Sequence, residues 1–580
     1  MFDRMKALVR GAGRSARDVV DDAIREGQAA LARGDLDAAE AALRRAIAHE
    51  PPHAGRAHAQ RALASVLSSR GDRRGAIDAL RAALAGGFSG DDAWHELCFL
   101  LHGEGDPAGA RDAAMRGIEA FPASAALRAS LGNLRAFDGD FAGAAGDYER
   151  AVALAPPSAE LCYNLAIALG RTGRRADAMA RYRQAIAIDP SHVAAHINLA
   201  NALREDGSTR DALAHFERAV ALAPDSYLAH FGAAGAYQAS GDLDRALAAA
   251  RRALSLAPDD PRAHTALGNV LLERGDTDDA IAAFREALRR TPGDIDALMR
   301  LGNAHLKRGD ASSAVERYRE VLAIDPANPV AHLVTSLTGG TSERAPDRYV
   351  ARLFDEYADR FDAHLVKELR YEMPRRIADM LAVHAAASGP GLEALDLGCG
   401  TGLVGVAIAP FARRIVGVDL SPGMIAKARA TGRYARLETA ELVAMMRSEP
   451  DGSYDLVTAA DVFVYVGRLD EAIVEIARLL RPGGLVACSV ESLDALPGGD
   501  DAQVRESGYR LNGSGRYAHR LDYLDRLARN HGFAPVEHRE VTVRLDRGNP
   551  IEGYVVLWRA PGPPGEASAI ARAAPSAGTS

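Results

Sequence analysis

One strictly periodic glycine is the feature that most constrains the fold of this 580-residue chain. It recurs in equal steps at Gly71, Gly105, Gly139, Gly173, Gly207, Gly241, Gly275 and Gly309, and an earlier copy is Gly34. An alanine lies five positions after each of these nine glycines, and a proline lies farther along in eight of the nine copies, as at Pro122 and Pro156. A fixed period of this length is typical of repeat architectures, so the first half of the chain is predicted to be an all-α solenoid.

Each of the three repeated positions has a physical reason. Glycine adopts the left-handed backbone that ends the first helix of a pair. Alanine lets two helices cross closely, and proline ends the second helix because it has no amide hydrogen to donate. Residues 20–328, about nine copies of this pattern, resemble the tetratricopeptide repeat family. The resemblance implies a superhelix whose groove holds a protein or peptide ligand.

Two polar rows run along the repeats. Asn133, Asn201, Asn269 and Asn303 share one repeat position, and His196, His230 and His264 share another. An asparagine row could hydrogen-bond the backbone of an extended peptide. The alternative is that asparagine is merely common there and that the histidines pack between helices. Copies a whole repeat apart do not converge on one point, which argues against a metal site.

Composition excludes several classes of function. The net charge is −8, from 70 basic and 78 acidic residues, which gives no reason to expect a partner of nucleic acid or anionic membrane. No apolar run reaches the length of a membrane-spanning helix and the N-terminus lacks a signal-peptide core, so a soluble cytoplasmic protein is expected. The four cysteines are far apart, which predicts neither a zinc site nor a disulfide scaffold.

The repeat pattern stops near Asn328. Residues 329–345 are predicted to be a capping helix and a linker, because T-G-G-T-S-E-R-A-P is rich in turn formers. From about Ala394 short apolar runs alternate with helix-like stretches, which indicates an α/β domain with a parallel sheet, and this domain is assigned to residues 346–560. Residues 1–19 are predicted to be an N-terminal helix or flexible segment, and residues 561–580 a disordered tail.

A glycine-rich turn follows the first strand of this α/β domain. Gly398, Gly400 and Gly402 let the backbone approach a ligand closely, and the next strand ends in Asp419. An acid at that place can accept hydrogen bonds from a ribose diol, so a nucleoside cofactor is expected. The spacing also fits a dinucleotide fingerprint, but Asp396 beside the turn would repel a pyrophosphate. A final pair of strands, 533–545 and 551–558, is also unusual for dinucleotide domains.

Four strings carry a second family resemblance: L-D-L-G-C-G-T-G, V-D-L-S-P-G-M-I, Y-D-L-V-T-A-A-D and L-L-R-P-G-G-L. Together they resemble class I S-adenosylmethionine-dependent methyltransferases, and the domain is similar to a bacterial group fused to tetratricopeptide repeats. It is also similar to small-molecule enzymes of biotin and ubiquinone synthesis. The resemblance implies a Rossmann-like seven-stranded sheet with a C-terminal antiparallel hairpin, and S-adenosyl-L-methionine as cofactor. It implies methyl transfer to a hydroxyl or carboxyl oxygen of a small molecule or protein partner. The alternative is an interaction scaffold whose cofactor-binding domain is vestigial or regulatory.

The resemblance also implies roles for individual residues at the cofactor. The glycines of the turn would wrap the methionine part, Asp396 would face its ammonium directly or through water, and Asp419 would bind the ribose. Met424 would lie on the adenine face, with ordinary helix packing as the alternative. Glu441 is the candidate for the adenine amine, because Ala440 stands where an aspartate is usual. The full set of predicted cofactor residues is Tyr357, Phe361, Asp396, Gly398, Cys399, Gly400, Gly402, Asp419, Leu420, Met424, Ala440, Glu441 and Asp461. Tyr357 and Phe361, one helical turn apart on a predicted helix, would belong to a lid or to a docking helix.

Acceptor residues are predicted from two places in the chain. Asp461 and Tyr465 follow the fourth strand at the carboxyl edge, where open α/β sheets bind ligands. Arg516, Tyr517 and His519 lie in a loop preceded by glycines. Asp461, Tyr465 and His519 are the catalytic candidates, with His519 as a base, and Arg516 and Tyr517 are the candidates for binding an acidic substrate. The alternative for the loop is a surface or fold-clasping role. The strings N-P-P-F and N-P-P-Y of enzymes that methylate nucleic-acid amines are absent, which argues against a nucleobase substrate.

Overall fold

The computed structural model describes residues 16–49, 55–358, 371–384, 391–496, 502–546 and 549–562. Residue contacts divide the chain into two compact units, Met1–Gly275 and Asp276–Ser580. This division lies within the repeats, whereas the sequence pattern places a boundary near residue 340. The repeat helices from Thr277 onward therefore belong to the same unit as the α/β residues.

The described part of the first unit is made of helices joined by short turns. They are α1 (Ala16–Ala32), α2 (Leu36–Ala48), α3 (Arg56–Ser69), α4 (Arg73–Ala85), α5 (Asp91–Gly103), α6 (Pro107–Ala120), α7 (Ala125–Phe137), α8 (Phe141–Leu154), α9 (Ala159–Arg171), α10 (Arg175–Ile188), α11 (Val193–Glu205), α12 (Thr209–Leu222), α13 (Tyr227–Ala239), α14 (Leu243–Leu256) and α15 (Pro261–Arg274). The glycine after each first helix has a positive φ, between 78° and 100°. The alanine five positions later is buried in every copy. The repeat prediction is thus confirmed in its local details.

Several members of the polar rows in this unit form hydrogen bonds within the repeats. His230 Nε2 donates to the carbonyl of Pro224 at 2.9 Å, and His264 Nε2 donates to Pro258 in the same way. These two bonds agree with the alternative that the histidines serve the packing of the repeats. Asn133 also has an internal partner, since its Oδ1 accepts a hydrogen bond of 2.7 Å from the Tyr148 hydroxyl.

The second unit contains the end of the repeats and an α/β fold. Its helices are α16 (Thr277–Arg290), α17 (Ile295–Arg308), α18 (Ala311–Ile324), α19 (Ala331–Leu337), α20 (Asp347–Tyr357), α21 (Met373–His384), α22 (Leu403–Ile408), α23 (Pro422–Ala430), α24 (Leu442–Ser448), α25 (Asp470–Leu479), α26 (Ala502–Ser507) and α27 (Leu521–Asn530). Its strands are β1 (Leu392–Leu397), β2 (Ala412–Asp419), β3 (Arg436–Thr439), β4 (Tyr454–Ala459), β5 (Leu480–Ser492), β6 (Tyr509–Leu511), β7 (Tyr517–His519), β8 (Ala534–Asp546) and β9 (Asn549–Arg559).

One sheet contains all of these strands. Its parallel part has the order β3-β2-β1-β4-β5, and β9 then pairs antiparallel with β5 and with β8. These seven strands confirm the predicted sheet with its C-terminal hairpin. A short additional hairpin, β6 and β7, joins the far end of β5 through a parallel pairing of β7. This added hairpin was not predicted, because each of its strands has only three residues.

Two apolar clusters cover the faces of the sheet. Alternate strand residues, such as Leu395 and Val457, pack with α24, α25 and α27. Their neighbours, such as Ala394 and Leu456, pack with α21 and α22. Successive strand residues point to opposite faces, so strands that are buried on both faces need continuous apolar runs. The carboxyl ends of the strands stay open for a site. None of the described helices is both long and apolar enough to cross a bilayer.

Candidate active site

A cavity of about 530 Å³ opens at the carboxyl ends of β1, β2 and β4. Its wall includes the glycine turn, Asp419 and Glu441, and also Tyr465 and Arg516. After the roles predicted for them from the sequence, we refer to the first group of residues as the cofactor end and to the second group as the acceptor end. Ligands of open α/β sheets bind at this edge, and the cavity lies where the sequence predicts a site.

The glycines of the turn have no side chains, so their backbone lies directly at the cofactor end. Gly398 and Gly400 both have a positive φ, 58° and 52°. A Cβ on Gly398 would lie 2.5 Å from a methyl carbon of Val462, whereas a Cβ on Gly400 would meet no described atom within 4 Å. Gly400 lines the cavity, so the space beside it is ligand space. Gly402 instead ends the turn as the N-cap of α22.

Asp419 stands at the tip of β2, where its carboxylate joins the turn to the helix that follows. Its Oδ2 accepts a hydrogen bond of 2.9 Å from the Gly400 amide, and its Oδ1 accepts one from the Ser421 amide. Burial raises the pKa of this carboxyl, while the amide donors oppose the rise. Asp419 and Leu420 both line the cavity. The position predicted to bind the ribose is therefore on the wall.

Asp396 and Met424 do not reach the cavity wall as predicted. The side chain of Asp396 is 1% exposed and accepts hydrogen bonds from the Tyr434 hydroxyl (2.7 Å) and the Thr458 hydroxyl (2.8 Å). Burial raises the pKa of Asp396 to about 6. Its carboxylate is thus engaged by two protein hydroxyls and is not part of the cavity wall, so the contact with a ligand ammonium, directly or through water, stays a prediction. Met424 is completely buried in α23, which fits the alternative of helix packing.

Helix α20 serves as a wall and as a docking element. Leu353 and Phe354 line the cavity. Asp355 accepts hydrogen bonds from the Ser421 hydroxyl and, at 3.2 Å, from the Gly423 amide, which fastens α20 to the start of α23. Tyr357 is the last residue of α20, and nothing is described of its side chain. Phe361 lies outside the described residues.

The remaining predicted cofactor residues lie on the wall. Cys399, Ala440 and Glu441 all line the cavity. Glu441 accepts a hydrogen bond from the Ala444 amide at the start of α24 and pairs with Arg344 at 3.3 Å. Burial raises the pKa of the Cys399 thiol far above its usual range, so the thiol stays neutral.

Asp461 is a strained residue at the end of β4. It is the only non-glycine residue with a positive φ (58°) in the described part of the chain. Its amide donates to the Ser489 hydroxyl at 2.9 Å, and its carboxylate pairs with Arg544 at 3.0 Å. Arg544 is almost completely buried and also pairs with the buried Glu491. Strain of this kind persists only where the surroundings enforce it, and it is concentrated at functional sites.

Arg516 has no such carboxylate partner. Its Nε donates to the Tyr465 hydroxyl at 3.3 Å, and its guanidinium lies 5.9 Å from the centre of the Tyr465 ring. Among the described residues it forms no ion pair. Burial opposes its charge, but Tyr465, Asp461 and Glu491 outweigh burial and hold the pKa of Arg516 above its usual value. The acceptor end thus presents a permanent cation with donors to spare.

His519 and Tyr517 are corrected by the structure. Both are completely buried on β7 and neither is part of the cavity wall. His519 Nε2 donates to the Gly467 carbonyl at 2.9 Å, and the ring stacks on Tyr523. The Tyr517 hydroxyl hydrogen-bonds the Ser342 hydroxyl at 2.6 Å. The alternative of a fold-clasping role is therefore correct for these two residues, and His519 is not available as a base.

The burial of His519 predicts a loss of stability in acid. Burial lowers the pKa of His519 to about 4, whereas an unfolded histidine titrates near 6.5. Between these pH values the unfolded chain binds more protons, so stability rises with pH there. Between pH 7 and pH 5 the second unit should lose about 2 kcal/mol through this residue. Denaturant unfolding followed by Trp558 fluorescence, in a Trp94→Phe background, should show this loss.

The matched variants isolate the contribution of His519. His519→Gln should unfold with less dependence on pH, while His538→Gln, at an exposed position on β8, should behave as the parent. An equal pH dependence in His519→Gln and the parent would contradict the assignment.

Several wall residues were missed by the sequence reasoning. They are Arg344, Phe354, Tyr371, Thr401, Val462 and Arg544. Arg544 lies in β8, where the pairing register shifts between Thr542 and Arg544. Nothing in the local sequence marks this shift, so the direction of the Arg544 side chain could not be inferred. Thr401 could have been found, because it lies between two glycines of the turn.

The cavity provides no free base in its described wall. Arg344 pairs with both Asp347 and Glu441, and Asp461 pairs with Arg544. Asp419 is engaged by backbone amides at the cofactor end. Burial raises the pKa of Tyr371 well above its usual value, which makes it a poor proton acceptor at neutral pH. A general base must accept a proton from the substrate, and no carboxylate here is left unpaired to do so.

Comparison with known proteins identifies both parts of the chain. A tetratricopeptide repeat family model matches residues 24–93, 163–227 and 265–329, and a second one matches residues 203–270. A methyltransferase domain family model matches residues 395–488. The chain therefore contains tetratricopeptide repeats followed by a methyltransferase domain.

Three curated proteins show the range of similar sequences. Biotin biosynthesis bifunctional protein BioCD of Bordetella avium is 32% identical over 151 residues, which are 24% of this chain and 30% of that protein. Methyltransferase-like protein 27 of Homo sapiens is 36% identical over 24% of this chain and 56% of its own length. Malonyl-(acyl-carrier protein) O-methyltransferase of Serratia marcescens is 29% identical over 28% of this chain and 60% of its own length. The chain spans less than two thirds of each of these relatives.

Proposed function

We propose that the second unit transfers a methyl group from S-adenosylmethionine. The support comes from the cofactor end, where the turn offers space at Gly400 and Asp419 lies on the wall. The Asp419 carboxylate accepts hydrogen bonds from two amides, and its two oxygens can accept further ones. The hydroxyls of a ribose diol can donate these further hydrogen bonds. When bound, the cofactor supplies a methyl group on a sulfonium, which is already an activated leaving group.

Asp419→Ala should weaken binding of S-adenosylhomocysteine roughly 30- to 100-fold. The reason is the loss of charged hydrogen bonds in a buried site, which are worth a few kcal/mol in total. Isothermal titration calorimetry on the full chain measures this. Glu552→Gln, which changes an exposed carboxyl on β9, should bind as the parent does. Unchanged affinity in Asp419→Ala would remove the ribose assignment.

We propose that the methyl acceptor is a carboxylate. The observation that carries this proposal is the unpaired guanidinium of Arg516 in a described wall that has no free base. A guanidinium binds a carboxylate through two parallel hydrogen bonds. A hydroxyl or ammonium acceptor would need a base to remove its proton, whereas a carboxylate is already an anion at neutral pH. The acidic substrate that the sequence predicted for Arg516 thus fits the geometry.

The residues of the chain would then act by positioning. Arg516 would hold and orient the acid, and Tyr465 would keep the guanidinium in place through its hydroxyl and its ring. Asp461, Arg544 and Glu491 would fix the shape of the wall beside it. Leu353 and Phe354 of α20 would exclude water. Fixed orientation in a water-poor cavity is a sufficient source of rate enhancement when the leaving group is already activated.

The proposal is tested by the chemistry of the transferred methyl group. The full chain is incubated with tritiated-methyl S-adenosylmethionine and lysate from a strain that lacks this protein, and the products are fractionated. A methyl ester releases its label as volatile methanol in alkali, whereas N-methyl, C-methyl and ether products do not. We expect alkali-volatile label that depends on the added chain. Alkali-stable label would exclude a carboxylate acceptor, and the absence of any transfer would exclude the methyltransferase activity.

We further propose that the repeats of the first unit receive a protein or peptide partner. The support is the repeat family itself and two exposed aromatic side chains, Phe99 (72% exposed) on α5 and Phe137 (71% exposed) on α7. These helices are the first helices of adjacent repeats. A photo-crosslinking residue at position 137 should capture the partner, and capture should fall when Phe99 is replaced by serine. Equal capture with Phe99→Ser would place the partner elsewhere.

A further inference from the structure

Helix α19 is the first helix of a repeat that has no second helix of its own. His332 lies two repeat lengths after His264, and Ser336 lies one repeat length after Gly302. In complete repeats the residues at these two positions contact other residues of the repeats. Within the second unit, for example, a Cβ on Gly302 would lie 2.4 Å from the Tyr318 ring of the following helix. After α19 the chain instead runs to α20, so both positions are free for other partners.

Both side chains are directed to one loop of the methyltransferase fold. His332 Nε2 donates to the Gly515 carbonyl at 2.9 Å, and the Ser336 hydroxyl donates to the Asn512 carbonyl at 2.8 Å. His332 and Ser336 are both buried. Within the array His264 donates to a proline carbonyl, whereas His332 at the equivalent position donates to the loop next to the acceptor end.

The loop is the turn of the β6–β7 hairpin, residues 512–516, and it carries Arg516. The Asn512 amide donates to the Arg516 carbonyl at 2.8 Å, which closes the turn. Gly515 has a φ of 79°, and a Cβ there would lie 2.9 Å from the Tyr349 hydroxyl and 3.1 Å from a methyl carbon of Leu333. The turn therefore packs closely against α19 and α20. Arg516 follows directly and extends its guanidinium over Tyr465 at the cavity.

We propose that α19 is a positioning element of the acceptor site, with His332 and Ser336 as positioning residues for Arg516. This inference rests on the proposed carboxylate site, because it states that the last repeat orients the Arg516 guanidinium that would bind the acid. A side chain held in its binding geometry loses less conformational freedom when the ligand binds. The last repeat is therefore part of the acceptor site as well as the end of the array.

The experiment compares the double variant His332→Ala/Ser336→Ala with the parent, both as full chains. Hydrogen–deuterium exchange of amides 512–517 should become about tenfold faster, because the loop loses two buried hydrogen bonds. Exchange in β4 should not change. The rate of alkali-volatile methyl transfer should fall about tenfold with a diluted acceptor fraction of the lysate and stay within twofold with an amount of that fraction that saturates the parent rate. Binding of S-adenosylhomocysteine should stay unchanged.

Two further variants separate positioning from general destabilisation. Thr338→Ala removes a hydroxyl that bonds only the backbone of its own helix, so it should match the parent. His332→Gln places an amide donor near the position of Nε2 and should restore most of the loop protection. Unchanged exchange in the double variant would overturn the inference. Faster exchange with an unchanged rate at limiting acceptor would also overturn it.

The failure of the two proposals can be distinguished. If the parent chain produces no alkali-volatile label, the carboxylate site is wrong. The exchange measurement then still decides whether α19 holds the loop that carries Arg516.

Discussion

Arg516→Met should lower methyl transfer at limiting acceptor roughly 100-fold. The substitution keeps the length of the side chain and removes the cation that would pair with the acceptor carboxylate. The loss of one partner of a buried, hydrogen-bonded charge pair costs about 2–5 kcal/mol, and each 1.4 kcal/mol is tenfold. The measurement is the initial rate of alkali-volatile label with a diluted acceptor fraction, which reports kcat/KM.

The controls for Arg516 separate charge, geometry and folding. Arg516→Lys keeps the charge but not the planar guanidinium that binds a carboxylate through two hydrogen bonds, so its rate at limiting acceptor should fall roughly tenfold. Arg526→Gln on α27 removes an arginine that pairs with Asp522 outside the cavity wall, and it should retain the parent rate. Binding of S-adenosylhomocysteine should not change in any of these variants. A parent-like rate in Arg516→Met would show that the acceptor does not bind this guanidinium.

Gly400→Ala should reduce binding of S-adenosylhomocysteine about 100-fold and cost about 1 kcal/mol in stability. The stability cost arises because a non-glycine residue is disfavoured at a φ of 52°. The loss of binding arises because the new methyl group meets no described atom of the chain and would occupy ligand space. Calorimetry and thermal unfolding of the same samples measure both quantities.

The matched control is Gly452→Ala. Gly452 has a φ of 60° and equally open surroundings, but it lies outside the cavity wall. It should share the stability cost and keep the affinity. Gly398→Ala should lose both stability and affinity, because its Cβ would also contact Val462. Val462→Ala in the same chain should recover part of the stability. If Gly400→Ala and Gly452→Ala bound S-adenosylhomocysteine equally well, the glycine turn would not be part of the cofactor site.

The loop that carries Arg516 shows where prediction from the sequence stopped. The sequence selected Arg516, Tyr517 and His519 together, because a loop preceded by glycines at the end of an α/β domain is a usual place for function. The structure leaves Arg516 at the cavity and buries the other two on β7, since β7 pairs with the end of β5. This pairing joins only Glu491 and Ser492 to a distant segment of the chain, so no local pattern marks it.

Local sequence determined the features that depend on backbone conformation and on short spacing. The period of the repeats determined the helix pairs, since one glycine, one alanine and one proline per repeat set their ends and their crossing. The turn from Gly398 to Gly402 and the acid at the end of β2 determined the cofactor end, because both follow directly from a strand and its turn. At the acceptor end the sequence selected Tyr465 and Arg516, but only the tertiary structure decided which residues hold them in place. Arg544 meets Asp461 and Glu491 only through a shifted β8 register, and α19 meets the loop of Arg516 only because the array ends without a second helix. Those contacts depend on packing between distant segments, which the order of residues along the chain does not display.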